Sequence, residues 1–144
     1  MKNNQPLISV IVISFNEVDS IGECLTLLLT QSYTNHEVIV YDNASSDGTA
    51  EYIAQNFPNI KLIRGAENLG FGGANNEAAQ AASGKYLAFV NDDAYVTPDW
   101  LTPVIQLLEA DPSVGAACAD LLCLEEKNTI LCRGNGIHLS GVAY

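Results

Sequence analysis

The sequence predicts an α/β fold, a mostly parallel sheet flanked by helices, and three observations carry that prediction. Strand-like apolar runs alternate with helical patterns from residue 7 to residue 119, the signature of βαβ units. The run Leu87-Ala88-Phe89-Val90 is continuous rather than alternating, as in strands covered on both faces, and it halts at Asn91-Asp92-Asp93. Earlier runs also lead into polar residues: Phe15-Asn16-Glu17, Asp42-Asn43 and Asn68. In a parallel sheet such ends lie along one edge, which is where ligands bind.

The elements follow in order. Leu7–Ile13, rich in β-branched residues, is the first strand. Ser20-x-x-Glu23 offers a capping box, and Ile21, Cys24, Leu25 and Leu28 recur at helical spacing to about Gln31. His36–Tyr41 is the second strand, and the polar cluster Asp42–Thr49 turns the chain into a helix over 48–56. Ile60–Arg64 is the third strand, followed by Asn68-Leu69-Gly70-Phe71-Gly72-Gly73 and an alanine-rich helix over 73–82. Lys85–Val90 is the fourth. A turn at 97–100 precedes a helix with Thr102 as N-cap and Pro103 at its first position. Val114–Ala119 reads as a fifth strand, with Ile130–Cys132 and Ile137–Leu139 as short candidates after it.

Composition narrows the function. The net charge is −11, from 17 acidic and 6 basic residues, which argues against nucleic acid as a partner because phosphates are met by Lys and Arg. No run reaches the roughly 18 apolar residues of a membrane span. Leu7–Ile13 is too short for a signal peptide, and no small-residue cleavage site follows it. Cysteines 24, 118, 123 and 132 form no C-x-x-C pair and read as free thiols, Cys24 on a helix's apolar face and Cys118 in a strand. His36 and His138 lack partners at ligand spacing, and Trp100 reads as a packing residue.

The polar edge carries the chemistry. Adjacent carboxylates repel unless something positive meets them, and with few basic residues a divalent cation is the natural partner of Asp92 and Asp93. Two aspartates without histidine suit an oxygen-preferring ion, Mg2+ or Mn2+; a turn or N-cap pair is the plain alternative. Asp42 either turns the chain or accepts a hydrogen from a base or ribose. Phe15 either stacks on a base or packs in the core. Gly70, Gly72 and Gly73 serve either a tight turn with close helix packing or an anion at a helix N-terminus. Their position excludes a dinucleotide fingerprint, which belongs after the first strand, and Ala74-Asn75-Asn76 excludes a P-loop.

Four stretches in one order, Ile8–Glu17, Asp42–Thr49, Asn68–Asn76 and Asn91-Asp92-Asp93, resemble the GT-A-fold family 2 glycosyltransferases. Within that family they most resemble the rhamnosyltransferase-like members that build bacterial surface polysaccharides. The similarity covers about residues 7–119. It implies that 1–144 is a single GT-A (Rossmann-like) nucleotide-sugar-binding domain without the C-terminal acceptor-side part, so the chain reads as a portion of a longer protein. It implies an inverting transfer from a nucleoside diphosphate donor, UDP or dTDP, to a hydroxyl of a saccharide or lipid-linked saccharide. Carried over by position, Ile13 (through its backbone), Phe15 and Glu17 line the nucleoside pocket, and Asp42 contacts the base. Asn68 and Gly72 lie near ribose and diphosphate. Asn91-Asp92-Asp93 stands at the family's D-x-D metal motif, with Asp93 as ligand and Asp92 facing ribose or metal; Asn91 departs from the motif's first aspartate. The catalytic base is expected beyond Tyr144. The resemblance also implies a cytoplasmic setting, at the inner membrane face where the acceptor is lipid-linked.

Other classes fit less well. A sugar nucleotidyltransferase wants a basic glycine-rich loop after the first strand, where this chain has Ser14-Phe15-Asn16-Glu17. A phosphoacceptor signalling domain wants an aspartate after the third strand and a lysine after the fifth, where this chain has Arg64-Gly65-Ala66 and Ala119-Asp120. A nucleotide-binding module without catalysis stays open.

Overall fold

Strand β1 (Ile8–Ser14) is buried at every residue and pairs in parallel on both sides. The computed structural model describes residues 5–119, 121–122 and 130–132. The chain forms two compact units, Met1–Pro98 and Asp99–Tyr144. In the first, β1 is followed by α1 (Ile21–Leu29), β2 (His36–Asp42), α2 (Thr49–Asn56), β3 (Lys61–Arg64), α3 (Gly70–Gln80) and β4 (Tyr86–Asn91). The four strands form one parallel sheet in the order β3-β2-β1-β4.

The sequence explains the packing. Ile8 to Ile13 supply β-branched side chains to both faces of β1, and α1 buries the stripe Ile21, Cys24, Leu25 and Leu28. Over one face, Ala74 and Ala78 of α3 meet Ile11, Ile13, Ile39 and Tyr41. Alanines let that helix lie close to the sheet. Helix α3 begins at Gly70, three residues before the expected start, and Gly70 has a φ of 69°, which only glycine adopts freely.

Strand β4 departs from expectation. Its pattern alternates, with Leu87 43% and Phe89 55% exposed, because it borders the sheet and pairs only with β1 among the described residues. Phe89 stands beside Ile11 in register, one strand beyond the area that α3 covers. Ser20 precedes α1 but forms no capping box; its hydroxyl donates to the Glu17 carboxylate instead.

In the second unit, α4 (Leu101–Ala110) starts before the expected cap, and the Thr102 hydroxyl donates to Asp99. Pro103 is then the third helical residue, still among the first-turn positions whose N–H has no intrahelical partner. Val114–Ala119 is not a strand: Gly115, Ala116, Ala117 and Ala119 bring little side chain to bury, and the stretch is mostly exposed, with Cys118 free on its surface. The strands here are β5 (Leu121–Leu122) and β6 (Ile130–Cys132), paired antiparallel. Residues 137–139, expected as a strand, lie outside the described residues.

Two side-chain networks brace opposite ends of the sheet. At the N-terminal end, the Glu37 carboxylate accepts from the Ser9 hydroxyl (2.5 Å) and the Ser83 amide (2.7 Å), while Ser9 Oγ accepts from the Gly84 amide (2.9 Å). A side chain on Gly84 would reach 2.5 Å from the Ser9 nitrogen, so this approach needs glycine. At the other end, the loop after β1 is tied to the loop after β2. The amide of Asn16 donates to Ser45 Oγ (2.9 Å), that of Ser46 to Asn16 Oδ1 (2.8 Å), that of Glu17 to Thr49 Oγ1 (3.0 Å) and that of Val18 to Asp47 (3.1 Å). The Thr49 hydroxyl and amide and the Val18 amide hold Asp47 below the usual carboxylate range. Asn16 and Ala44 both have left-handed backbones, with φ of 58° and 65°.

Burial pushes Glu37 up, but Ser9, Ser83 and nearby Lys61 outweigh it and hold its pKa below the ordinary value. A carboxyl lowered in the folded chain contributes stability above its unfolded pKa and loses it as pH falls through the folded one. Glu37→Gln should therefore cost about 1 kcal/mol at neutral pH, with the gap from wild type closing below about pH 4.3 in urea melts. A gap that widens with acid would refute the brace. Ala44→Gly should raise stability by roughly 0.5–1 kcal/mol, since glycine removes the left-handed Cβ clash. A lowered melting midpoint would show that Ala44 is unstrained.

Candidate functional site

At the C-terminal edge of the sheet lies an open hollow of about 660 Å³. Ile13 and the residues after β1, Phe15 and Glu17, form one wall; Asn43 follows β2; Asn68, Gly70 and Phe71 come from the start of α3; Asn91, Asp92 and Asp93 close it. The strand ends thus meet around one space, as parallel pairing requires. Ile13 stands opposite Asn91 in register, which brings the two aspartates to the tip of β1.

Two expected site residues lie off the lining. Gly72 is exposed on the first turn of α3. Asp42 is only 3% exposed. Ile13, Tyr41 and α3 mark the hollow's side of the sheet, and Asp42, one residue past Tyr41, falls on the other side of the pleat. Asp42 Oδ2 accepts from the Ser45 amide at 3.3 Å, while Oδ1 is buried without a hydrogen-bond partner. The neighbour Asn43 lines the hollow instead, a place the alternation along β2 already assigns to it. Phe71 also escaped the sequence reading, because its only signal is an apolar residue set among glycines.

The hollow is electrostatically unbalanced. Burial pushes Asp92 above the ordinary carboxylate value; the charges of Glu17 and Asp93 push it further, and the amide of Phe15 opposes them. No basic side chain lines the space. Of the described cations, Arg64 pairs with Glu51 (2.6 Å), Lys61 donates to the Ala81 carbonyl (2.6 Å) and Lys85 lies over the Tyr86 ring. Among the described residues no three His, Cys, Asp or Glu side chains come together as a complete metal cage. Asp92 and Asp93 therefore fit a hard divalent cation that takes one or two carboxylates and fills its shell with water and ligand oxygens.

Behind Asp93 is a small cleft of about 50 Å³ lined also by Ser20, Cys24, Ala94 and Tyr95. Burial, aided by the Asp92 and Asp93 charges, pushes the Cys24 thiol up to about 11, so it stays protonated and unreactive, as a packing residue would. The Tyr95 hydroxyl donates to Glu23 (3.2 Å) across this cleft's rim.

Residues 9–128 match the family described as "Glycosyl transferase family 2". The chain is 36% identical over 124 residues to an uncharacterized glycosyltransferase, YibD, of Escherichia coli, covering 83% of this chain and 36% of that protein. It is 34% identical over 106 residues to the glycosyltransferase AglE of Haloferax volcanii, covering 70% and 35%. Among solved structures, a mannosyltransferase from Pyrobaculum calidifontis in complex with GDP-Man and Mn2+ superposes with a TM-score of 0.74 at 33% identity, covering 83% of this chain and 37% of that one. Staphylococcus aureus TarS (residues 1–349) in complex with UDP gives 0.65 at 30% identity, covering 72% and 32%. The chain thus spans about a third of the length of the relatives it matches. With a family match over most of its length and relatives more than 30% identical, this chain belongs to glycosyl transferase family 2.

Proposed function

We propose that this chain is the donor- and metal-binding part of an inverting glycosyltransferase that moves a sugar from UDP or dTDP to an acceptor hydroxyl during surface polysaccharide synthesis. The observation that carries the reading is the hollow at the strand ends, lined by Glu17, Asp92 and Asp93 with no cation to balance them. A diphosphate would be repelled there unless a metal came with it. The mannosyltransferase relative, bound to GDP-Man and Mn2+, and TarS, bound to UDP, support a nucleotide-sugar donor and a divalent ion. Relatives named for teichuronic acid and succinoglycan biosynthesis support the polysaccharide setting.

Each side chain then has a task. Asp93 and Asp92 would hold Mg2+ or Mn2+, which when bound offers positive charge to the donor's diphosphate as the sugar leaves. Phe15, 45% exposed at the lip, would stack on the base, with the Ile13 backbone and Glu17 beside the nucleoside. Asp42, expected to contact the base, is buried off the hollow's lining, and its unpartnered Oδ1 would meet a base N–H only after the turn following β2 moved aside. Asn68 and the Gly72 turn would sit by the ribose and diphosphate. Activating the acceptor hydroxyl needs a carboxylate within hydrogen-bond reach, and the hollow's acids are committed to donor and metal. The base, and with it the site for the acceptor (a saccharide or lipid-linked saccharide), would lie in the remainder of the longer chain that the relatives have. No helix among the described residues is long and apolar enough to cross a membrane. A lipid-linked acceptor would be met at the inner membrane face, from the cytoplasm.

Calorimetry of residues 1–144 should show UDP or dTDP binding that requires Mn2+ or Mg2+. Asp93→Asn should weaken it roughly tenfold or more while leaving the melting temperature unchanged or higher, because a like charge is removed. Equal binding with and without metal would sink the metal assignment, and no binding of UDP, dTDP or GDP would sink the donor reading. A radiolabelled-sugar assay should find no transfer by this chain alone; full turnover would place the base within it.

A further inference from the structure

We propose that Asn43 is a positioning residue for the donor, its carboxamide locking the lead-in to α3 against the tip of β1. The inference rests on the donor-binding reading above. Asn43 is 3% exposed and uses its backbone and both ends of its side chain. Its amide donates to the Ser14 carbonyl (2.8 Å), which carries the β1–β2 pairing one step past the strands. Its Oδ1 accepts from the Leu69 amide (2.9 Å), and its Nδ2 donates to Asn68 Oδ1 (2.9 Å). The same Asn68 oxygen accepts from the Gly70 amide (2.8 Å).

Chemistry fixes which way both carboxamides face. A backbone N–H can only donate, so Leu69 must meet the oxygen of Asn43, which turns the Asn43 nitrogen toward Asn68. Gly70 must likewise meet the oxygen of Asn68. One buried amide therefore sets the backbone at Leu69 and, through Asn68, at the left-handed Gly70. The segment so held supplies Asn68, Gly70 and Phe71 to the hollow. Phe71 is 63% exposed, so its place depends on that backbone rather than on packing. The lock transmits the position of β1's tip to the far wall of the donor site.

The asymmetry of the bonds gives the test. Asn43→Asp keeps an acceptor for Leu69 but sets a carboxylate oxygen against Asn68 Oδ1, so the lock opens. Asn68→Asp adds the same charge close by yet keeps both of its acceptor bonds, so the lock holds. Asn43→Ser, too short to reach both partners, opens it without adding charge. Hydrogen exchange followed by NMR should show the Leu69 and Gly70 amides exchanging at least tenfold faster in Asn43→Asp and Asn43→Ser than in wild type or Asn68→Asp. Amides of Ile11 and Ile39 should keep their wild-type rates. In calorimetry with Mn2+, at a temperature where the variant is still fully folded, the Asn43→Ser chain should bind UDP or dTDP roughly tenfold more weakly. Unchanged Leu69 and Gly70 exchange would overturn the lock itself. Faster exchange with undiminished nucleotide affinity would overturn its role in donor placement. A wild-type chain that binds no nucleotide would remove the donor reading and this role with it, while the exchange rates still decide whether the lock exists.

Discussion

Parallel pairing of a fully buried β1 with both β2 and β4 is the constraint on which the rest depends. Parallel neighbours finish at the same edge, so every polar residue that ends a strand is delivered to one place whatever its distance along the chain. Burial of β1 on both faces also fixes its register, because a slip of one residue would turn its whole apolar set around. Ile13 and Phe15 are therefore placed by the core, not by the loop they lead into. The carboxylates at the end of β4 inherit that placement through the pairing of Ile13 with Asn91.

The loops beyond the strands are held in another way. They bury little apolar surface, and their backbone amides are met by short polar side chains: Ser45, Asn16, Thr49 and Asp47 on one side, Asn43 and Asn68 on the other. Each such bond contributes about 1 kcal/mol net, so no single one determines the fold. Together they decide where the walls of the hollow stand. The left-handed backbones of Asn16, Ala44 and Gly70 all fall within this network, the pattern expected where local strain is held by surrounding bonds near a functional site.

Much of this was legible in the sequence. Short apolar runs alternating with helical patterns located β1 to β4 and their order of appearance, and the convergence of Phe15, Glu17, Asn68 and Asn91-Asp92-Asp93 follows once the sheet is taken as parallel. What escaped reading depended on facing and partners. Asp42 and Asn43 are chemically similar neighbours, and only knowledge of which side of the sheet carries α3 tells which one meets the hollow. Val114–Ala119 has an apolar composition but, among the described residues, no strand beside it and little side chain to bury, so composition alone misled. The continuous run of β4 suggested cover on both faces, whereas Leu87 and Phe89 are left bare. Thr102 and Ser20 looked like caps, yet their hydroxyls found carboxylates, Asp99 and Glu17, that lie three residues before them.

The bare side of β4 has a consequence for how this polypeptide behaves in solution. A bordering strand with two large apolar side chains on one surface is an adhesive element, ready to associate with another molecule like it. The surplus of negative charge works against that by keeping molecules apart, and dissolved salt weakens such repulsion over about 8–10 Å. Colloidal stability would then be a contest between a sticky ribbon and a screened electrostatic cushion, and solubility is expected to fall as salt is added.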